Sequence, residues 1–222
     1  MAASWVVPAS AQFGASLSLL TDDRFRGQSL SDHRPVATLD LSYDDAGGFY
    51  GGASATGVAT AHEGAQLLSV TEYAGFTHPL GQGPAIEIGA IHCAYTEYSS
   101  RGSSAHYTEV YLGLVGAHVA AHIRYAPDYF RSGVETVLGD VDGVLTIKDW
   151  RLNAHVGLLR QVSGWRMPGA DPWHPEWRLA IARPIRRFTV QLALTGGGAA
   201  YDIYEDNHHR RVALVAGTTY VF

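Results

Sequence analysis

The chain is 222 residues long, enough for one large domain or two small ones, and no linker divides it. Charged residues make up 17% of it, against roughly 25% in an average soluble domain, and apolar ones 46%, so part of the surface does not face water. A formal net charge of −5, with scattered arginines and Lys148 as the single lysine, gives no basic stripe and excludes nucleic acid as a partner.

Residues 1–11 end in Ala9-Ser10-Ala11, the small-x-small pattern of a signal-peptidase site, although no charged stretch precedes them. They read as the remnant of an export signal, and residues 12–222 as one domain. Cys93 stands alone, so no internal disulfide can form, and the thiol reads as packing rather than chemistry. No run of 18 apolar residues offers a transmembrane helix.

From there the pattern is almost everywhere period two. Phe13, Ala15, Leu17 and Leu19 alternate with small residues in a first strand, and Ala37, Leu39, Leu41 and Tyr43 in a second. Residues 48–59, rich in Gly and Ala, form a third. Residues 67–76 form a less tidy fourth, with Glu72 on the face of Val70 and Ala74. Strands follow at 85–98, 106–115, 119–125, 137–147, 150–158, 177–183, 188–195 and 212–222. Connections near 23–33, 60–66, 99–104, 129–134, 162–176 and 196–209 are long and polar, whereas those near 45–47, 116–118, 148–149 and 184–187 are short, with 77–84 as the exception.

Long loops at one end and short turns at the other, joining strands of roughly 9 to 11 residues, predict an all-β, antiparallel, up-and-down transmembrane β-barrel of about 12 strands. A soluble sandwich or lipocalin-like barrel also alternates. Here, however, one face carries Leu, Val, Ile and aromatics with almost no charge. Glu72 and His92 are its two departures, and they cast doubt on the register of the fourth and fifth strands. Phe13, Tyr43, Phe49, Phe76, Trp150, Trp177, Phe188, Tyr220 and Phe222 fall near strand ends on the apolar face, as in an interfacial girdle. The last strand is expected to pair with the first, roughly Val212–Phe222 against 12–21, so that neither edge stays open.

The stretch "SLLTDDRFRGQSLSDHRPVATLDLSYDDAGGFYGG", with "EVYLGL" and "YAPDYF" farther on, resembles the TorF (Gcw_chp) family of outer-membrane porins. In that family the first strand runs into a T-S-D-Y-R-F-R-G-like segment, matched by Thr21 to Gly27 with Asp23 where the family carries an aromatic. The likeness extends along most of the chain and is strongest over 16–60 and 107–130. It implies an exported barrel in the outer membrane of a Gram-negative bacterium, with pore activity and no catalytic residues to carry over. An aromatic C-terminus, here Tyr220 and Phe222, looks like the tail read by outer-membrane assembly machinery.

On the polar face, Asp40, Glu87, Glu109, Arg124, Asp140, Arg151, His155, Arg178, Gln191 and Arg211 are the expected pore-lining residues. They could border a water-filled lumen for passive diffusion of ions or small polar solutes, or pair across a narrow barrel and plug it. Arg24 and Arg26, on the loop after the first strand, could form a constriction, grip lipopolysaccharide phosphates, or pair with Asp22 and Asp23. The cluster at Glu205 to Arg210 reads as a polar loop, since adjacent His208 and His209 point apart in an extended chain. Ser99, Ser100, Ser103, Ser104 and His106, with Glu97 nearby, are the one constellation an outer-membrane lipid-modifying enzyme could use, yet no G-x-S-x-G or H-E-x-x-H accompanies them. The expectation is therefore a porin without metal or cofactor, whose partners are outer-membrane lipid, lipopolysaccharide, the assembly machinery and small polar solutes. A plugged structural or adhesive barrel is the alternative.

Overall fold

The structure, a computed structural model, describes residues 12–60, 64–96, 105–166, 170–197 and 212–222. Its strands in chain order are β1 (Gln12–Leu20), the short β2 (Arg24–Phe25) and β3 (Gln28–Ser29), β4 (Val36–Asp44), β5 (Phe49–Thr60), β6 (Gly64–Pro79) and β7 (Ala85–Tyr95). Then come β8 (Ala105–Val115), β9 (Val119–Ala126), β10 (Thr136–Ile147), β11 (Trp150–Gln161), β12 (Trp173–Ile185), β13 (Phe188–Gly197) and β14 (Val212–Val221). All but β2 and β3 form one closed barrel in which each strand pairs antiparallel with its chain neighbours. The ring closes where β14 meets β1, from Ser16 opposite Val221 to Leu20 opposite Gly217.

Which way the barrel faces decides its solvent. On β8 the outward Val110, Leu112 and Leu114 are each about half exposed, while the inward Glu109 is 4% exposed. On β9 and β10, Ile123 is 64% exposed and Asp140 only 3%. A water-soluble barrel has the opposite arrangement, so the outward apolar wall matches a hydrocarbon environment and the carboxylates line the interior.

Paired rings mark the turn end of this wall. Phe13 lies 4.9 Å from Tyr43, Phe49 4.8 Å from Phe76, and Phe188 5.0 Å from Tyr220, which in turn stands 5.1 Å from Phe222. Trp150 is capped by Arg183 at 5.3 Å. Trp177 does not lie at a strand end, because β12 begins four residues earlier, at Trp173, which takes the rim position under Arg160.

Glu72 and His92 do point outward, directly opposite each other on β6 and β7, so these strands keep their register. His92 Nδ1 lies 2.9 Å from Thr108 Oγ1 on β8. β6 also carries a bulge facing Thr56 and Gly57, where Leu68 is the extra residue and turns fully into the interior.

The inside-out wall is testable at one position. Leu112→Arg should cost about 2–4 kcal/mol of folding stability in a bilayer, read by reversible denaturation in vesicles, with a much smaller cost for the same change at Trp173 on the rim.

Candidate functional site in the barrel lumen

The long connection 21–35 does not extend away from the barrel but folds into its loop end, organised around Asp22. This carboxylate, 5% exposed, accepts from Ser29 Oγ at 2.5 Å and Ser31 Oγ at 3.0 Å, and pairs with Arg24 at 3.3 Å. The His33 ring lies 3.2 Å away on the same carboxylate. Four local partners on one buried acid fix a loop that otherwise has only the two-residue strands β2 and β3.

Between β2 and β3 the chain reverses through Arg26 and Gly27, both at positive φ (49° and 81°). Two left-handed residues make the tight turn that matches strand twist, and holding Arg26 there costs roughly 1–2 kcal/mol. The turn is aimed across the lumen. Arg26 Nη2 donates to Glu109 Oε2 on β8 at 2.5 Å, and its guanidinium lies 4.7 Å above the Phe25 ring and 4.9 Å from that of Tyr129. A Cβ on Gly27 would fall 2.6 Å from the Cα of Gly197 on β13, so only glycine allows this approach.

Residues 127–135 enter from the other side. Tyr129 and Phe130 meet edge to face at 4.7 Å, and both contact Tyr107 at 5.0 Å. With Leu30, Val58, Leu68, Tyr95, Val134, Leu138 and Leu159 they form an apolar core inside the barrel. Burial pushes the Tyr129 phenol up to about 12, with Arg26 pulling it the other way. For Arg26, burial disfavours the charge, but Tyr129 and Glu109 outweigh it and hold its pKa above the ordinary value. Burial, reinforced by Asp22, raises Asp23 to about 6.

Beneath this loop layer lies a cavity of about 490 Å³. From its wall a chain of polar contacts runs on along the barrel interior. Arg26 meets Glu109; Arg124 lies 3.6 Å from Glu109 and 2.6 Å from Asp140; His122 lies 3.4 Å from Asp140 and 2.8 Å from Glu87; Glu87 accepts from Tyr50 at 2.5 Å. Opposite, His155 bridges Asp142 at 2.9 Å and Glu176 at 3.4 Å, and Arg178 donates to Gln191 at 3.2 Å. Charges so confined pair because an isolated one would be costly in a narrow interior.

Inward aromatics reach over glycines of the adjacent strand. Tyr50 covers Gly75, Tyr73 covers Gly52, Tyr111 covers Gly89 and His122 covers Gly113, and a Cβ at any of the four would fall within 2.5 Å of the ring or its hydroxyl.

The structure brings Asp40, Glu87, Glu109, Arg124, Asp140, His155, Arg178 and Gln191 to the interior; Asp40 is held by Ser16 at 3.4 Å. Arg151, opposite Ala182, stands on the same face near the turn end and is exposed. Arg211, Ser99, Ser100, Ser103, Ser104, Glu97 and the segment 205–210 lie outside the described residues, while His106 faces outward. Arg24 and Arg26 are both turned inward, one paired within its loop and the other across the lumen. Sequence reasoning missed Tyr50, Tyr73 and Tyr107, although period two alone places them on the polar face, and Glu176, which fell in the expected connection 162–176.

In comparisons with known proteins, no curated sequence matches the chain. Among solved structures, the porin NanC is 14% identical with a TM-score of 0.62, over 93% of this chain and 98% of that one. The porin KdgM is 12% identical with a TM-score of 0.58, over 94% and 99%. These likenesses establish the shared barrel fold. Residues 7–222 match the family described as bacterial protein of unknown function (Gcw_chp), and the chain belongs to that family.

Proposed function

We propose that this barrel is a narrow porin of a Gram-negative outer membrane, through which ions and small polar solutes diffuse passively, with the turn end in the periplasm and the 21–35 loop as its constriction. The observation that carries this reading is the cavity, lined by charged as well as apolar side chains, beneath a loop hairpin that reaches across the lumen from Asp22 to Glu109. A structural plug needs no such cavity and no run of charged side chains below it. The solved KdgM porin includes a complex with oligogalacturonate. In the present lumen, among the described inward groups, Asp40, Glu87, Glu109, Asp140, Asp142 and Glu176 face Arg26, Arg124, Arg151 and Arg178. An excess of carboxylates disfavours polyanions and gives small cations a weak preference. Tyr220 and Phe222, outward on the turn rim, suit a role as the terminal signal for the assembly machinery, with outer-membrane lipid and lipopolysaccharide around the wall.

Planar-bilayer recording of the refolded chain tests the reading. Small, weakly cation-selective steps are expected, and Gly27→Val, which cannot approach Gly197, should raise conductance severalfold while the barrel still migrates heat-modifiably on gels. A barrel silent both as wild type and with the hairpin undocked would be a plug.

The pH response follows from Asp23. Its pKa of about 6 in the docked loop lies above the ordinary 3.8, so the docked loop binds the proton more tightly than the free one. Docking is therefore strongest below about pH 4 and weakens as pH rises through 6. Conductance should be lower at pH 5 than at pH 7.5, and Asp23→Asn should give the low value at both.

Deleting Phe222 should lower the yield of assembled barrel in cells severalfold while the single-channel conductance of the assembled fraction is unchanged.

A further inference from the structure

One group of lumen side chains has a geometry that hydrogen bonding does not satisfy. His122 on β9 is 9% exposed, and its Nε2 lies 2.8 Å from Glu87 Oε2. A carboxylate only accepts, so Nε2 is the donor in this contact. The other ring nitrogen, Nδ1, is buried and makes no hydrogen bond, although Asp140 Oδ1 lies 3.4 Å away.

An imidazole nitrogen and a carboxylate oxygen face each other stably in a confined space only with positive charge between them, a proton or a metal cation. The separation exceeds the roughly 2.7–2.9 Å of a charge-assisted hydrogen bond. It fits the about 3.3 Å spanned by two ligands on a tetrahedral cation with bonds of about 2.0–2.1 Å. Asp142 completes the group: His122, Asp140 and Asp142 each place a donor atom within 4.8 Å of the others.

The scaffold is rigid. His122 and Asp140 are opposite residues of β9 and β10, and Asp142 is the next inward residue of β10. The imidazole is seated over Gly113, where a Cβ would fall 2.2 Å from Cδ2. His155 steadies Asp142 at 2.9 Å, and Arg124 holds Asp140 mainly through Oδ2, at 2.6 Å against 3.4 Å to Oδ1. Glu87 has the position of the outer carboxylate that orients a ligating histidine.

We propose that His122 Nδ1, Asp140 Oδ1 and the Asp142 carboxylate bind a divalent first-row transition-metal cation, of which Zn²⁺ is the test case, inside the lumen. An imidazole donor favours this class over Mg²⁺ and Ca²⁺, which take oxygen. Three protein ligands leave a fourth position for water, and Asp142, half exposed, opens it to the lumen. The site stands whether or not the barrel conducts.

Calorimetric titration of ZnCl₂ into the refolded full chain in detergent tests it, with heat-modifiable gel migration confirming the barrel in every variant. The wild type should take up one equivalent that His122→Gln and Asp142→Asn each remove, and Glu87→Gln should weaken that equivalent about 10- to 100-fold. Excess MgCl₂ should displace none of it. No Zn²⁺ uptake by the wild type, wild-type affinity in either ligand variant, or displacement by Mg²⁺ would overturn the proposal.

Discussion

Backbone closure is the constraint on which everything else rests. Hydrocarbon offers no partner to a free N–H or C=O, and each unpaired one costs several kcal/mol, so a sheet crosses it only as a ring. The β1–β14 seam supplies that closure here, from Ser16 opposite Val221 to Leu20 opposite Gly217. Once the ring is shut, the pleat divides every strand into two populations. Leucines and valines go to lipid, and each polar or charged residue between them is delivered to a shared interior.

That interior is too narrow for its charges to ignore one another. Glu109 is approached by Arg26 from the loop and by Arg124 from the wall, and Asp140 by Arg124 and His122. The loop therefore docks against charges already partly compensated by their neighbours, and a short hairpin can hold its place with one ion pair, the ring contacts of Arg26 with Tyr129 and of Phe25 with Tyr107 and Phe130, and one glycine-to-glycine approach. Loop and wall form one electrostatic unit.

Most of the barrel was legible in the sequence because period two is a local signal, repeated independently in each strand. The strand count and the seam emerged from it, as did the side of the wall on which Asp40, Glu87, Glu109, Arg124 and Asp140 stand. Strand ends were less legible: β12 begins at Trp173 rather than Trp177, and Leu68 escapes the alternation because a bulge adds a residue that no local pattern announces. The loop layer was least legible. That Arg26 reaches Glu109, 83 positions away, or that Tyr129 and Phe130 turn inward, depends on which loops share an end of a closed ring, and this exists only after closure.

The contact of Gly27 with Gly197 also has a mechanical side. A wall one strand thick resists stretching along its hydrogen bonds but bends easily across them, so an empty cylinder of this kind is prone to flatten into an ellipse under lateral pressure. A hairpin rooted between β1 and β4, seated on β8 through Arg26 and on β13 through Gly27, works as a spoke joining three distant arcs of the rim. The same few residues that occupy the loop end of the lumen thereby keep its mouth round, and a barrel that lost them would become softer.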